Sequence, residues 1–328
     1  MGLQRSDMSV TDAAEQAEAV VDEVLSAVVA DREVLEILTA GWLARGHVLL
    51  EDVPGTGKTL TARSVATALG LEFSRIQFTP DLMPSDITGS YVFEEGTGEF
   101  HFTPGPIFAN IVLADEINRA PPKTQSALLE AMEEGQVTVD GETHELPDPF
   151  IVIATQNPVE QEGTFELPEA QRDRFIVKTS LGYPDSAGTQ ELIDRRADRD
   201  RPDPTVGTVV DRETVLAMQG APETVTVERP MREYIGRVCR ETRTDGRVEV
   251  GVSPRGVQRL FEITRARAVI DGRDYVAPDD VTRIAVPALA HRLVLDPEAR
   301  VQGVDRRDVI DGVLDRVEVP SMEPPEQD

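Results

Sequence analysis

Residues 51–59, EDVPGTGKT, combine the residue types of a phosphate cradle. Gly55 and Gly57 let backbone N–H groups approach phosphate oxygens with no Cβ in the way. Lys58 is spaced to reach β- and γ-phosphates, and the Thr59 hydroxyl to hold Mg2+. The helix that follows would turn its positive end toward the same anion. The nucleotide-binding run is therefore Pro54, Gly55, Thr56, Gly57, Lys58, Thr59 and Leu60. One position breaks the pattern G-x-x-x-x-G-K-[ST]. Counting back from Lys58, the first glycine falls at position 52, where the chain has Asp52. An acid there has the wrong charge unless its carboxylate points elsewhere. The position lies at a strand end, before the contacting amides begin near Gly55, so Asp52 is expected to turn away from the nucleotide.

A second run, IVLADE (111–116), is four apolar residues followed by two acids. The carboxyl end of a buried strand is where open α/β sheets bind ligands. Asp115 is placed to bind magnesium, directly or through water, and Glu116 to polarise an attacking water. Alone, these acids could be solvated charges at a strand end; behind a phosphate loop they have work to do. IVIATQNP (151–158) ends a third apolar run with Asn157, an amide able to position water or touch a γ-phosphate, although Asn-Pro is also ordinary turn chemistry. Arg174 precedes a further strand and, taken alone, is a solvated charge. Arg255 follows Ser253 and Pro254, an N-cap and first-turn signature. A cation at that end of a helix opposes its dipole, so Arg255 is expected to meet an anion.

Short continuous apolar runs at 47–51, 111–115, 150–155 and 174–181 read as strands buried on both faces. They alternate with helical patterns at 59–70 and 120–135, which implies a parallel sheet covered on both sides. Residues 13–44 read as helical, and 136–146 as a hairpin turning at Asp140-Gly141. Beyond a Pro/Gly-rich connector at 199–207, helical patterns at 211–219, 230–243, 254–270 and 278–293 make a small, mostly helical second domain. The expected division is a polar head over 1–12, a nucleotide-binding α/β domain over 13–184, a connector and start of lid over 185–228, a helical lid over 229–318, and an acidic, Pro-rich tail over 319–328 with the composition of disordered chain.

The 328 residues include 60 Asp and Glu against 33 Lys and Arg, a net charge of −27. Lysine occurs only at 58, 123 and 178; every other basic residue is arginine. That balance resembles cytosolic proteins of salt-accumulating halophiles, where salt screens the self-repulsion. The rival reading is a dedicated basic partner. No broad basic face for duplex nucleic acid is evident. The single cysteine, Cys239, lies in a helical pattern and suits a reducing compartment. The four histidines have no ligand spacing, so no zinc site is expected. No apolar stretch approaches the roughly 18 residues of a membrane span, and the N-terminal segment lacks a signal-peptide core. MGLQRS fits the short N-myristoylation pattern, which has many chance matches. The expected location is the cytoplasm.

Taken together, GHVLLEDVPGTGKT, RIQFTPDLMPSDITGSYVF, GPIFANIVLADEINRAPPKTQSALLEAMEE, FIVIATQNP, GTFELPEAQRDRF and GVSPRGVQRL resemble the MoxR family of AAA+ ATPases from about residue 15 to 317. The resemblance implies a P-loop AAA+ parallel-sheet core with an insert in helix 2 (GSYVFEEGTGEFHFTPGPIF), a hairpin before sensor 1 (QVTVDGETHEL) and an all-helical lid. It implies ATP and Mg2+ as cofactors, Asn157 as sensor 1, Arg174 as a finger reaching a neighbouring subunit's γ-phosphate, and Arg255 as sensor 2. It allows an acid at Asp52. Arg172 stands where the family has an apolar residue; Arg174 is taken as the finger because it sits in the matching Asp-Arg-Phe. A finger acting in trans requires an oligomer, and the family implies a hexamer whose inserts face the ring's centre. Family members are typically paired with proteins carrying von Willebrand factor A domains, which makes such a protein the expected partner of a chaperone-like ring. The alternatives are the motor subunit of a metal-chelatase-type machine, a nucleic-acid motor, which the acidic charge disfavours, and a scaffold with negligible turnover, which the presence of Glu116, Arg174 and Arg255 disfavours.

Overall fold

The computed structural model describes residues 8–159, 164–165 and 167–320. In chain order the elements are α1 (Val10–Ala27), α2 (Arg32–Leu43), β1 (His47–Glu51), α3 (Lys58–Ala68), β2 (Phe73–Gln77), α4 (Pro84–Thr88), β3 (Gly89–Glu94), β4 (Glu99–Pro104), β5 (Ile111–Asp115), α5 (Pro122–Glu134), β6 (Gln136–Val139), β7 (Glu142–Glu145), β8 (Ile151–Gln156), α6 (Glu169–Arg172) and β9 (Phe175–Thr179). There follow α7 (Ser186–Ala197), α8 (Arg212–Met218), α9 (Arg229–Glu241), β10 (Val248–Val250), α10 (Pro254–Ile270), α11 (Pro278–Leu289), β11 (Val294–Leu295), α12 (Pro297–Val301) and α13 (Arg306–Arg316).

Five strands form one sheet in the order β2-β5-β8-β1-β9, every pair parallel. Parallel pairing requires crossovers, and these place helices on both faces. β1, β5 and β8 are buried over nearly all of their length and apolar at 48–50, 111–114 and 151–154, because both faces are covered. On one face Val48, Leu50, Leu113 and Ile153 join Val20, Leu38, Leu260, Ile263 and Ile284 in one continuous core. The C-terminal helices are thus bonded into the same apolar unit as α1 and α2. Each fully buried Leu or Ile contributes about 1.5–3 kcal/mol. On the other face Leu49, Val112, Ala114, Val152 and Phe175 pack with Leu128 and Leu129 of α5.

The structure departs from the sequence reading in five places. The helical stretch at 13–44 is two helices, broken at Val28, which is extended; Asp31 then caps α2 by accepting from Glu33 N–H at 2.9 Å. α1 starts at Val10, inside the expected polar head, because Ser9 caps it by accepting from Asp12 N–H. β2 shows no apolar run, since as an edge strand it buries only Ile76. α7 falls in the expected connector; it buries no residue and so carries no periodic signature. The C-terminal unit is helical except for an antiparallel ribbon of β10 and β11. Residues 1–7 of the head and 321–328 of the tail lie outside the described residues. Among the described residues, no helix is long and apolar enough to cross a membrane.

His47 shows how the sheet is locked. Its Nδ1 accepts from Val152 N–H at 3.0 Å, so Nε2 carries the proton and donates to the Met132 carbonyl at 2.9 Å. Burial pushes its pKa down from 6.5 to about 4, with the Met132 bond acting in the opposite sense. The unfolded chain takes up a proton near 6.5 while the folded chain stays neutral to about 4. This group therefore leaves stability intact above pH 6.5 and erodes it as pH falls toward 4, by on the order of 3 kcal/mol at the acid end. His291, also buried and pushed well below 6.5, acts in the same direction. Denaturant midpoints measured from pH 7 to 4.5 should fall less steeply with acid in His47→Gln than in the parent; an unchanged slope would count against this assignment.

Candidate nucleotide site

The carboxyl ends of β1, β5 and β8 meet at one cavity of about 410 Å3. The loop after β1 supplies Pro54, Gly55 and Gly57 to its wall, and the first turn of α3 supplies Lys58, Thr59 and Leu60. Gly55 and Gly57 have φ of 90° and 91°, and a Cβ at either would meet nothing within 4 Å. Their requirement is thus the positive φ and the open space an anion can enter, rather than close packing of protein. Gly57 also starts α3, whose first free N–H groups face that space. Thr56 is in the same loop but turns its hydroxyl back onto the Val53 carbonyl. Lys58 Nζ donates to the carbonyls of Asp52 and Val53 at 2.9 and 2.8 Å.

Asp52 points away from the cavity. It is 4 % exposed, and its carboxylate accepts from Ser180 Oγ, Leu181 N–H and Gly182 N–H at 2.8, 2.6 and 3.0 Å. Three donors hold the charge that looked misplaced in the motif.

Asp115 and Glu116 line the opposite wall with Thr155, Gln156 and Asn157. Thr155 was not singled out in the sequence, yet its buried hydroxyl organises both acids: it donates to Asp115 Oδ1 at 2.6 Å and accepts from Glu116 N–H at 2.9 Å. Arg75 donates to Asp115 Oδ2 from Nη2 at 2.6 Å and from Nε at 3.0 Å. Gln77 and Arg119 each donate to Glu116 Oε2 at 2.8 Å. Glu116 has φ 57° and ψ 48°, a left-handed backbone unusual for a non-glycine residue, costing on the order of 1–3 kcal/mol and typical of functional sites. Asn157 Oδ1 accepts from Val159 N–H at 3.1 Å, and its NH2 group makes no protein hydrogen bond among the described residues. Arg75 and Gln77 were missed with β2 itself; Thr155 was visible in the sequence only as a polar residue inside an apolar strand.

Arg174 and Arg255 are brought together, but not at this cavity. Arg174 Nη2 lies 3.1 Å from Glu133 Oε2, and Arg255 Nη2 pairs with the other oxygen of the same carboxylate. Glu133 is thus the anion that the first-turn arginine of α10 meets. Next door, Asp173 accepts from Ser253 Oγ at 3.0 Å and from Arg292 Nε at 2.7 Å. The buried Arg292 also donates to the Phe175 and Ile176 carbonyls, which fastens the C-terminal helices to β9.

A model of the ATPase family associated with various cellular activities matches residues 47–177, and one of the AAA lid domain matches 240–313. The chaperone MoxR1 of Mycobacterium tuberculosis is 41 % identical over 93 % of this chain and 82 % of its own. The chain belongs to the MoxR family of AAA+ ATPases. A Bacillus subtilis relative, YeaC, whose name assigns it no function, is 47 % identical over 92 % of this chain and 93 % of its own. The crystal structure of an ATPase candidate from Cytophaga hutchinsonii is similar with a TM-score of 0.87 at 39 % identity, covering 94 % of this chain and 96 % of that one. In MoxR terms the helix-2 insert is the β3–β4 hairpin, and the hairpin before sensor 1 is β6–β7. The two touch: the Phe102 and His144 rings stack at 3.7 Å, and Tyr91 lies against both. The β3–β4 hairpin carries an exposed pair, Phe93 and Phe100, with ring centroids 5.2 Å apart.

Proposed function

We propose that this MoxR-family chain hydrolyses ATP as one subunit of a ring, and that the ring remodels a partner protein. The observation that carries the reading is the single cavity shared by Lys58, Thr59, Asp115, Glu116 and Asn157. Backbone N–H groups of residues 55–59 hold the β- and γ-phosphates, and Lys58 joins them with the N–H that its ammonium keeps beyond the two given to the Asp52 and Val53 carbonyls. Thr59 and Asp115 are hard oxygen donors on one cavity, a set that suits Mg2+. When bound, the ion offsets charge across the β- and γ-phosphates. Glu116 orients a water for in-line attack on the γ-phosphorus; the bond to the β–γ bridging oxygen breaks, ADP leaves, and the water's proton passes to Glu116 or the phosphate. Asn157 directs its NH2 group to that water or to the γ-phosphate.

Arg174 and Arg255 act in this reading on the neighbouring subunit's nucleotide. Their joint position on Glu133, outside their own subunit's cavity wall, supports it. The family implies a hexamer. The name of the M. tuberculosis relative supports a chaperone-like output. The exposed hairpin aromatics offer a surface for a client, and a von Willebrand factor A domain protein is the partner class the family implies. Phosphate release from ATP, measured with and without MgCl2 across a salt series, tests the core of this reading. Lys58→Ala should lose nucleotide binding and turnover together. A parent chain that releases no phosphate at any salt concentration, though folded, would overturn the proposal.

A further inference from the structure

Arg174 and Arg255 come from two separate elements, the entry to β9 and the first turn of α10. Glu133 joins their tips, but an ion pair between partly exposed side chains is a weak clamp. Their bases are joined more firmly. Asp173, the residue before Arg174, accepts from Ser253 Oγ at 3.0 Å through one carboxylate oxygen and from Arg292 Nε at 2.7 Å through the other. Ser253 is the N-cap of α10, where the same Oγ accepts from Gly256 N–H at 3.0 Å. Arg255 lies between those two residues. One side chain thus bonds the segment that carries Arg174 to the turn that carries Arg255.

Arg292 makes the joint rigid. It is buried, and beyond the Asp173 carboxylate its Nη2 donates to the carbonyls of Asp173 and Phe175 at 3.2 and 2.7 Å, and its Nη1 to that of Ile176 at 3.2 Å. A Cβ on Gly256 would meet Arg292 Cδ at 3.0 Å, so the first turn of α10 lies directly on the arginine's stem. Among the described residues, Asp173 is the only carboxylate paired with Arg292. Parting a buried cation from its carboxylate leaves a charge with neither solvent nor counterion, so the joint does not open freely. None of Asp173, Ser253 and Arg292 lines the subunit's own phosphate cavity. What they fix is the pair of arginines that lies outside it.

We propose that Asp173 is a positioning residue that holds Arg174 and Arg255 at one fixed spacing, so that a subunit presents them to its neighbour's nucleotide as a single unit. The proposal rests on the two arginines acting between subunits and adds the residue that keeps them in register. Asp173→Ala removes both bonds of the carboxylate. Its ATP retention and assembled mass should match the parent's, while phosphate release falls about 100-fold, the scale of a misplacement of about 1 Å in catalytic geometry. Mixed with Lys58→Ala, which still offers a correctly set pair of arginines, it should regain turnover. Mixed with Arg174→Ala, it should not, because neither chain then offers a working pair. Ser253→Gly keeps a tolerated N-cap residue and leaves Asp173 on Arg292. It should show the same pattern with a smaller fall, and it decides the matter if Asp173→Ala does not fold. A merely structural Asp173 would give folded variants whose ATP retention and turnover fall together and which Lys58→Ala subunits do not restore. That result, or turnover equal to the parent's in both variants, overturns the positioning role alone. Undiminished turnover in Arg174→Ala overturns the finger reading and the positioning role with it.

Discussion

Glu116→Gln should bind ATP, assemble, and release phosphate at least about 100-fold more slowly than the parent. The amide is nearly isosteric with the carboxylate and can still accept from Gln77 or Arg119 at one oxygen, so the left-handed turn at 116 has no reason to unwind. What it lacks is the charge that draws a proton from water. Binding and catalysis therefore separate in this variant, whereas Lys58→Ala removes both. Nucleotide retention and phosphate release measured on one preparation decide it: turnover near the parent's would remove Glu116 as the water-orienting group. The same variant is the bait for partners. A trapped assembly incubated with cell extract at high salt should retain a client protein, and recovery of nucleic acid instead would favour the motor on nucleic acid.

Arg174→Ala should be inactive alone, by a factor on the order of 1000 if it behaves as an arginine finger. Lys58→Ala should also be inactive alone. Mixed, the two should recover part of the parent's activity. A Lys58→Ala subunit still offers Arg174 to its neighbour, and an Arg174→Ala subunit still offers an intact phosphate loop. The best mixing ratio should give a minority of parental activity, because only some interfaces pair an intact loop with an intact finger. No recovery at any ratio would mean that the finger does not act between subunits. Arg174 also shares Glu133 with Arg255, so the two arginines are one coupled pair, and losses from single and double substitutions should not add.

The parts of this protein that chemistry dictates residue by residue were readable in its sequence. The central strands β1, β5 and β8 are continuous apolar runs because they are buried on both faces. Lys58, Thr59, Asp115, Glu116 and Asn157 follow directly from strand ends, and the structure gathers them on one cavity. Ser253 and Pro254 begin α10 as their residue types require. What escaped were elements and contacts set by distant partners. β2 is an edge strand whose Arg75 and Gln77 hold the two acids, and no periodicity marks a strand that buries one side chain. α7 has no buried face to show. Thr155 looks like any polar residue until β5 and β8 are placed side by side. Glu133 is an ordinary surface acid until α10 brings Arg255 to it. Asp52 is the intermediate case: its turning away was deducible from strand geometry, but the donors that receive it lie about 130 residues along the chain.

Glu133 also has a mechanical position. It stands in the last turn of α5, and after the bend at Gly135 the chain runs straight into β6. The β6–β7 hairpin is clasped to β3–β4 by the ring stack of Phe102 on His144, so the two ribbons form one arm tipped by Phe93 and Phe100. The carboxylate that grips both arginines thus sits at the base of that arm. In the proposed ring, a pull on either arginine would have to travel through the single glycine bend at Gly135 to reach the pair of aromatic rings at the far tip.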